Sequence, residues 1–253
     1  MTDSATQALH QASTARVLFA HQSVGANILG GLKTLLESTG SRWPIVDAGA
    51  GPLPDGPALL EIRAGQNGLP KTKVDDFAKA IATLPGAKPQ VAFMKLCFVD
   101  VTYESNVSEI LDYYRKAIER LKEEHPDIVF GHVTVPLATH VNGAKDRVKR
   151  LVGVPVKEDL SNAKRQEYNR LLRAAFPKDP LLDLERVEST HLDGTREQSS
   201  VEGASVFALA SEYASDPWGH LNAAGSQLAA RELVRFVADA LSRRRPASEA
   251  APQ

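Results

Sequence analysis

The stretch Arg16-Val17-Leu18-Phe19-Ala20-His21-Gln22-Ser23-Val24-Gly25-Ala26-Asn27 decides the fold class. Residues 16–20 form an apolar run with no turn former, which is the composition of a strand buried on both faces. Helical spacing follows at once, with Ile28, Leu32 and Leu35 along 26–36. A buried strand that feeds an amphipathic helix is half of a βαβ unit. The same alternation recurs downstream. Residues 44–47, 90–94, 128–135 and 180–184 read as strands, and 74–84, 107–121, 161–176 and 223–241 as helices, the third opened by Ser161 as a cap. The pattern predicts α/β architecture: a single-domain three-layer α/β/α sandwich around a five-stranded parallel sheet.

Two segments break the alternation: 49–70, rich in Gly and Pro, and 139–158, rich in Lys, Arg and Val. Both read as long loops, and insertions of this kind at strand ends are where α/β domains place their ligands. Residues 1–14 read as a flexible N-terminus, 15–243 as the domain, and 244–253 as a disordered tail that begins within the basic run Arg243-Arg244-Arg245.

Of 253 residues, 43% are hydrophobic and 24% charged, enough to build a sizeable core. Thirty Lys and Arg against 31 Asp and Glu leave a net charge of −1, which lacks the positive field that nucleic-acid binding requires. Cys97 is the single cysteine, so no internal disulfide and no zinc-type Cys spacing exist. A reducing, cytoplasmic setting is the expectation. The polar start has no basic n-region, and its first apolar stretch, 17–20, is too short for a membrane span.

Ser23 falls where a strand ends and a helix begins, a place where a hydroxyl stands at the rim of the sheet and the helix N–H groups face an anion. As an alternative, it is an ordinary N-cap. Near the other end, Asp216-Pro217-Trp218-Gly219-His220-Leu221-Asn222 puts an acid and an imidazole in one loop before the last helix. Such a pair serves as an oriented general base if it meets the serine; otherwise Asp216 caps a turn and His220 lies on the surface. Of the other histidines, His21 either contacts a ligand or packs at the strand end. His125 and His132 read as structural, and His140 and His191 fall on loops. Cys97, between Leu96 and Phe98, reads as a buried small residue. His21, His220, Asp100 and Asp216 lack the spacing of a metal site, so neither metal nor cofactor is expected.

These blocks together resemble the SGNH/GDSL hydrolase superfamily over most of the chain. The resemblance implies a flavodoxin-like strand order 2-1-3-4-5. His21-Gln22-Ser23 stands at the family's Gly-Asp-Ser position, which implies Ser23 as nucleophile. Arg63-Ala64-Gly65-Gln66-Asn67-Gly68 matches the glycine loop and implies the N–H of Gly68, or alternatively Gly65, as an oxyanion donor beside the N–H of Ser23. The Gly-x-Asn-Asp block is replaced by Lys95-Leu96-Cys97-Phe98-Val99-Asp100. With no asparagine there, Lys95 or an amide near Cys97 is left to complete the oxyanion hole, and Asp100 to brace the loop. The family's Asp-x-x-His is matched by His220, with Asp216 four positions before it rather than three. Asp183 and Glu188 are the alternative acids. His21 is a candidate substrate contact.

The implied activity is ester hydrolysis through an acyl-enzyme on a small-molecule substrate, with acetyl on a carbohydrate as the family's habit. The rival is a non-catalytic SGNH-like domain that binds a ligand or a protein in the same crevice. A nucleotide-binding reading finds neither G-x-G-x-x-G nor G-x-x-x-x-G-K-[ST].

Overall fold

In a computed structural model, described over residues 3–140, 143–152, 154 and 156–244, the chain forms a twisted parallel sheet between two helical layers. The elements are α1 (Asp3–Ser13), β1 (Arg16–His21), α2 (Val24–Thr39), β2 (Ile45–Asp47), β3 (Ala58–Arg63), α3 (Pro70–Thr83), β4 (Val91–Met94), α4 (Val107–Glu124), β5 (Val129–Val133), α5 (Ala144–Leu151), α6 (Lys157–Ala175), β6 (Leu181–Leu182), α7 (Leu184–Ser189), β7 (Gln198–Val201), β8 (Ala204–Phe207) and α8 (Ala223–Ser242).

The main sheet has six strands in the order β2-β3-β1-β4-β5-β6, all parallel. The expected order of the five strands read from the sequence is kept, and β3 is inserted between β2 and β1. This corrects the reading of 49–70 as a loop. Ala58-Leu59-Leu60 is buried and pairs in register with Arg16-Val17-Leu18, so neighbour contacts override the surrounding Gly and Pro. β1 therefore lies inside the sheet, flanked by β3 and β4.

Alternation along the strands fills two cores. Val17, Phe19, Val91 and Phe93 face α2 and α8, while Leu18, Ala20, Ala92 and Met94 face α3, α4 and α6. The rings of Phe19 and Phe93 stack at 4.7 Å, and Phe236 meets Phe93 edge-on at 4.9 Å. α2 and α8 cross so closely that a Cβ on Gly31 would stand 2.2 Å from the Ser226 carbonyl oxygen.

The N-terminal segment read as a flexible start is helical over Asp3–Ser13. Ala5, Leu9 and Ala12 form a stripe at helical spacing, and α1 packs it against α8. Ser161 does not cap α6: it is buried one turn inside the helix, its hydroxyl donating to the Lys157 carbonyl. The 139–158 segment holds α5 as well as the start of α6. The tail 245–253 lies outside the described residues. Among the described residues no helix is long and apolar enough to cross a membrane.

Candidate active site

β1 delivers the chain through Gln22 to Ser23, which adopts φ 31° and ψ −92° at the N-terminus of α2. Few non-glycine residues hold such a backbone, and it turns the side chain away from its own helix. The hydroxyl makes no capping bond. Its Oγ lies instead 3.1 Å from Nε2 of His220, so the N-cap alternative does not describe this side chain.

His220 is presented by a tight loop. Ala214 bridges Leu221, Ser215 N–H donates to the His220 carbonyl, and Asn222 caps α8 through the Gly225 N–H. The Leu221 N–H donates to Asn27 Oδ1 at 3.3 Å, tying this loop to the first turn of α2. Phe98 meets the His220 ring edge-on at 5.6 Å.

The Asp216 carboxylate is hydrogen-bonded to His220 Nδ1 through Oδ2, and its Oδ1 accepts from the N–H groups of Trp218, Gly219 and His220 at 2.9, 3.0 and 3.3 Å. Burial pushes the carboxyl up, but these amides and the imidazole outweigh it and hold the pKa at about 2. An ionised Asp216 on Nδ1 keeps the ring proton there and leaves Nε2 as acceptor for the Ser23 hydroxyl. The alternative acids are engaged elsewhere. Asp183 caps α7 and pairs with Arg173, while buried Glu188 accepts the Leu137 N–H at 2.9 Å.

The proposed oxyanion groups are placed differently from expectation. The Gly68 N–H donates to Asp100 Oδ1 at 2.8 Å, and the Gly65 N–H to Asp76 Oδ2 at 2.7 Å, so neither amide is a free donor. The Cys97 N–H is likewise taken, by Asp100 Oδ2 at 2.6 Å. Asp100 thus ties the glycine loop to the chain after β4, and the Lys73 ammonium, itself buried, pairs with it at 2.5 Å and with Asn67 Oδ1 at 2.9 Å. Buried amides and charges demand such partners, and Asp100 supplies them.

Two donors remain. Among the described residues the Ser23 N–H has no hydrogen-bond partner. Lys95, 1% exposed, reaches the Leu96 carbonyl at 3.2 Å and Cys97 Sγ at 3.5 Å, with no carboxylate within 4.0 Å among the described residues. His21 is not at the mouth of the site. It is 1% exposed, with Nε2 2.9 Å from Glu61 Oε2, and burial lowers its pKa against the pull of that carboxylate. Ser23, His220 and Asp216 are therefore brought together, whereas Gly65 and His21 belong to the supporting frame.

Sequence reasoning did not single out Lys73, Asn27 or Phe98. Lys73 falls just before the helix read over 74–84, and only the fold shows it facing Asp100.

No family model and no curated protein matches the chain. Among solved structures, it is similar to a candidate platelet activating factor from Streptococcus pneumonia, with 17% identity, a TM-score of 0.53, and 92% of this chain and 90% of that one covered. It is also similar to a candidate GDSL-like lipase from Parabacteroides merdae, with 13% identity, a TM-score of 0.50, and 89% and 94% of the two chains covered. At such identities the likeness is one of fold. The chain has the SGNH/GDSL fold.

Proposed function

We propose that the chain is a serine ester hydrolase working through an acyl-enzyme, with Ser23 as nucleophile, His220 as general base and Asp216 as the orienting acid. The observation that carries this reading is the 3.1 Å contact between Ser23 Oγ and His220 Nε2, backed by Asp216 on Nδ1. As Oγ bonds to the acyl carbon, its proton passes to Nε2 and the carbonyl electron pair moves to oxygen. The tetrahedral centre then expels the alcohol, which leaves with the proton from Nε2. Water repeats the sequence: it bonds to the acyl carbon, gives a proton to Nε2, and releases the acid as Ser23 regains its hydrogen. The Ser23 N–H and the Lys95 ammonium are the donors assigned to the oxyanion, Lys95 standing where the family places an asparagine block. The proposed substrate is an ester of a small acyl group such as acetyl, and the proposed setting is the cytoplasm, on the single buried thiol of Cys97.

A non-catalytic binding domain is favoured by one observation: Asp100 occupies the amides of both Gly68 and Cys97. A fluorophosphonate probe separates the two readings. The hydrolase should be labelled at Ser23, with labelling dependent on His220 and absent in Ser23→Ala. Absence of labelling, together with p-nitrophenyl acetate turnover no higher than in Ser23→Ala, would establish the binding domain instead.

A further inference from the structure

Soluble domains scatter their exposed apolar side chains, and a concentration of them on one face marks a contact surface. Eight large apolar side chains are more than a third exposed among the described residues, and six of them stand on three connections, the one after β3, the one after β5 and the one before α8. Leu69, 52% exposed, follows Gly68, and Trp218, 62% exposed, lies between Asp216 and His220. The other four are Val148, Leu151, Val152 and Val154, at 59%, 86%, 66% and 48%. They belong to the connection that leaves the carboxyl end of β5, where the Thr139 hydroxyl donates to the Pro217 carbonyl beside Asp216.

Val148, Leu151 and Val152 have i, i+3, i+4 spacing, and the Val152 N–H donates to the Val148 carbonyl at 3.1 Å, continuing the turn of α5. In α2 a one-sided apolar spacing, i, i+4, i+7, puts Ile28, Leu32 and Leu35 into the core; on α5 the apolar side faces solvent. The charge in its sequence is one-sided: residues 144–151 contain Lys145, Arg147, Lys149 and Arg150 against Asp146, which is 4 − 1 = +3 in a chain whose total is −1.

We infer that this face, with α5 and Trp218 at its centre, docks the protein on an anionic lipid surface. A short helix with aliphatic residues on one side and a cluster of cations is the composition that settles at the headgroup boundary of a bilayer. Tryptophan prefers that same boundary. A bilayer also suits apolar tips carried on separate connections, since it requires of them a common plane and not a matched shape. This inference does not depend on the hydrolase reading.

Sedimentation of the full chain with vesicles tests it. Vesicles of phosphatidylcholine containing phosphatidylglycerol should bind the protein about tenfold more tightly than phosphatidylcholine alone, and less tightly as salt is raised. Trp218 emission should shift to the blue on binding. Joint replacement Val148→Ser, Leu151→Ser, Val152→Ser should weaken binding about tenfold, with an unchanged melting curve, because all three side chains are exposed; Lys149→Glu should weaken it on charged vesicles alone. Absence of binding, equal binding to neutral vesicles, or undiminished binding by the triple variant would overturn the inference. A dimer that the triple variant dissociates, without vesicle binding, would assign the face to a second copy of the chain instead.

Discussion

The carboxylate of Asp216 reaches Nδ1 of His220 across four positions of sequence, and the same carboxylate gathers the amides of Trp218, Gly219 and His220. Gly219, between the acid and the ring, has φ 142°, a backbone conformation that side chains avoid. The acid and the ring therefore form one unit, whose orientation the loop fixes before any ligand arrives.

Asp216→Asn should remove most activity and little stability. An amide nitrogen facing Nδ1 favours the ring proton on Nε2, where it cannot accept from Ser23. The turnover number for p-nitrophenyl acetate should fall roughly a thousandfold or more. In the wild type, Asp216 stays ionised down to about pH 2, so loss of activity well above that pH does not arise from its protonation.

Gly219→Ala should damage the same unit through the backbone. A Cβ there would stand 2.9 Å from the Leu137 carbonyl oxygen and 3.1 Å from the Phe98 ring, at a φ that side chains avoid. The expected result is a fall in turnover of about tenfold or more, since small displacements of positioned groups have large kinetic effects. Steady-state kinetics beside a thermal melt would check it.

Asp100→Asn tests the buried tie between the two loops. Its partner Lys73 is 1% exposed, so the change leaves an ammonium uncompensated, at a cost of about 3 kcal/mol or more in urea unfolding. Lys73→Met combined with Asp100→Asn should recover part of that loss.

Glu188 gives the chain a pH-dependent stability. Burial pushes its carboxyl up to about 8, the Leu137 N–H and the Lys95 charge opposing only in part. Between the ordinary glutamate value of 4.5 and about 8 the folded chain holds one proton more than the unfolded chain, so this group makes stability fall as pH rises through that window. Glu188→Gln should therefore raise the melting temperature more at pH 8 than at pH 5, by several degrees, on the order expected for ~3 kcal/mol in a chain of this size. Equal shifts at the two pH values would count against this account.

The sheet was legible where strands are continuous apolar runs, as in Val17-Leu18-Phe19-Ala20. It was not legible at β3, because Glu61 and Arg63 occupy its less buried end and Gly and Pro flank the segment. α1 escaped notice because its buried stripe is mostly alanine, which gives little hydrophobic signal. Ser23 and His220 stand out because a strand end and a helix cap leave marks in sequence. The fate of the Gly68 amide leaves none: Asp100 lies 32 positions away, and only the parallel packing of β1 between β3 and β4 brings them together.

Ser23 bends the chain at a conformation that costs an ordinary residue on the order of 1–3 kcal/mol and costs glycine far less. Ser23→Gly should therefore survive heating longer than Ser23→Ala, although both lack the hydroxyl. Any search for hardier variants that screened by melting point alone would drift toward glycine at this bend, and would discard the oxygen that faces His220.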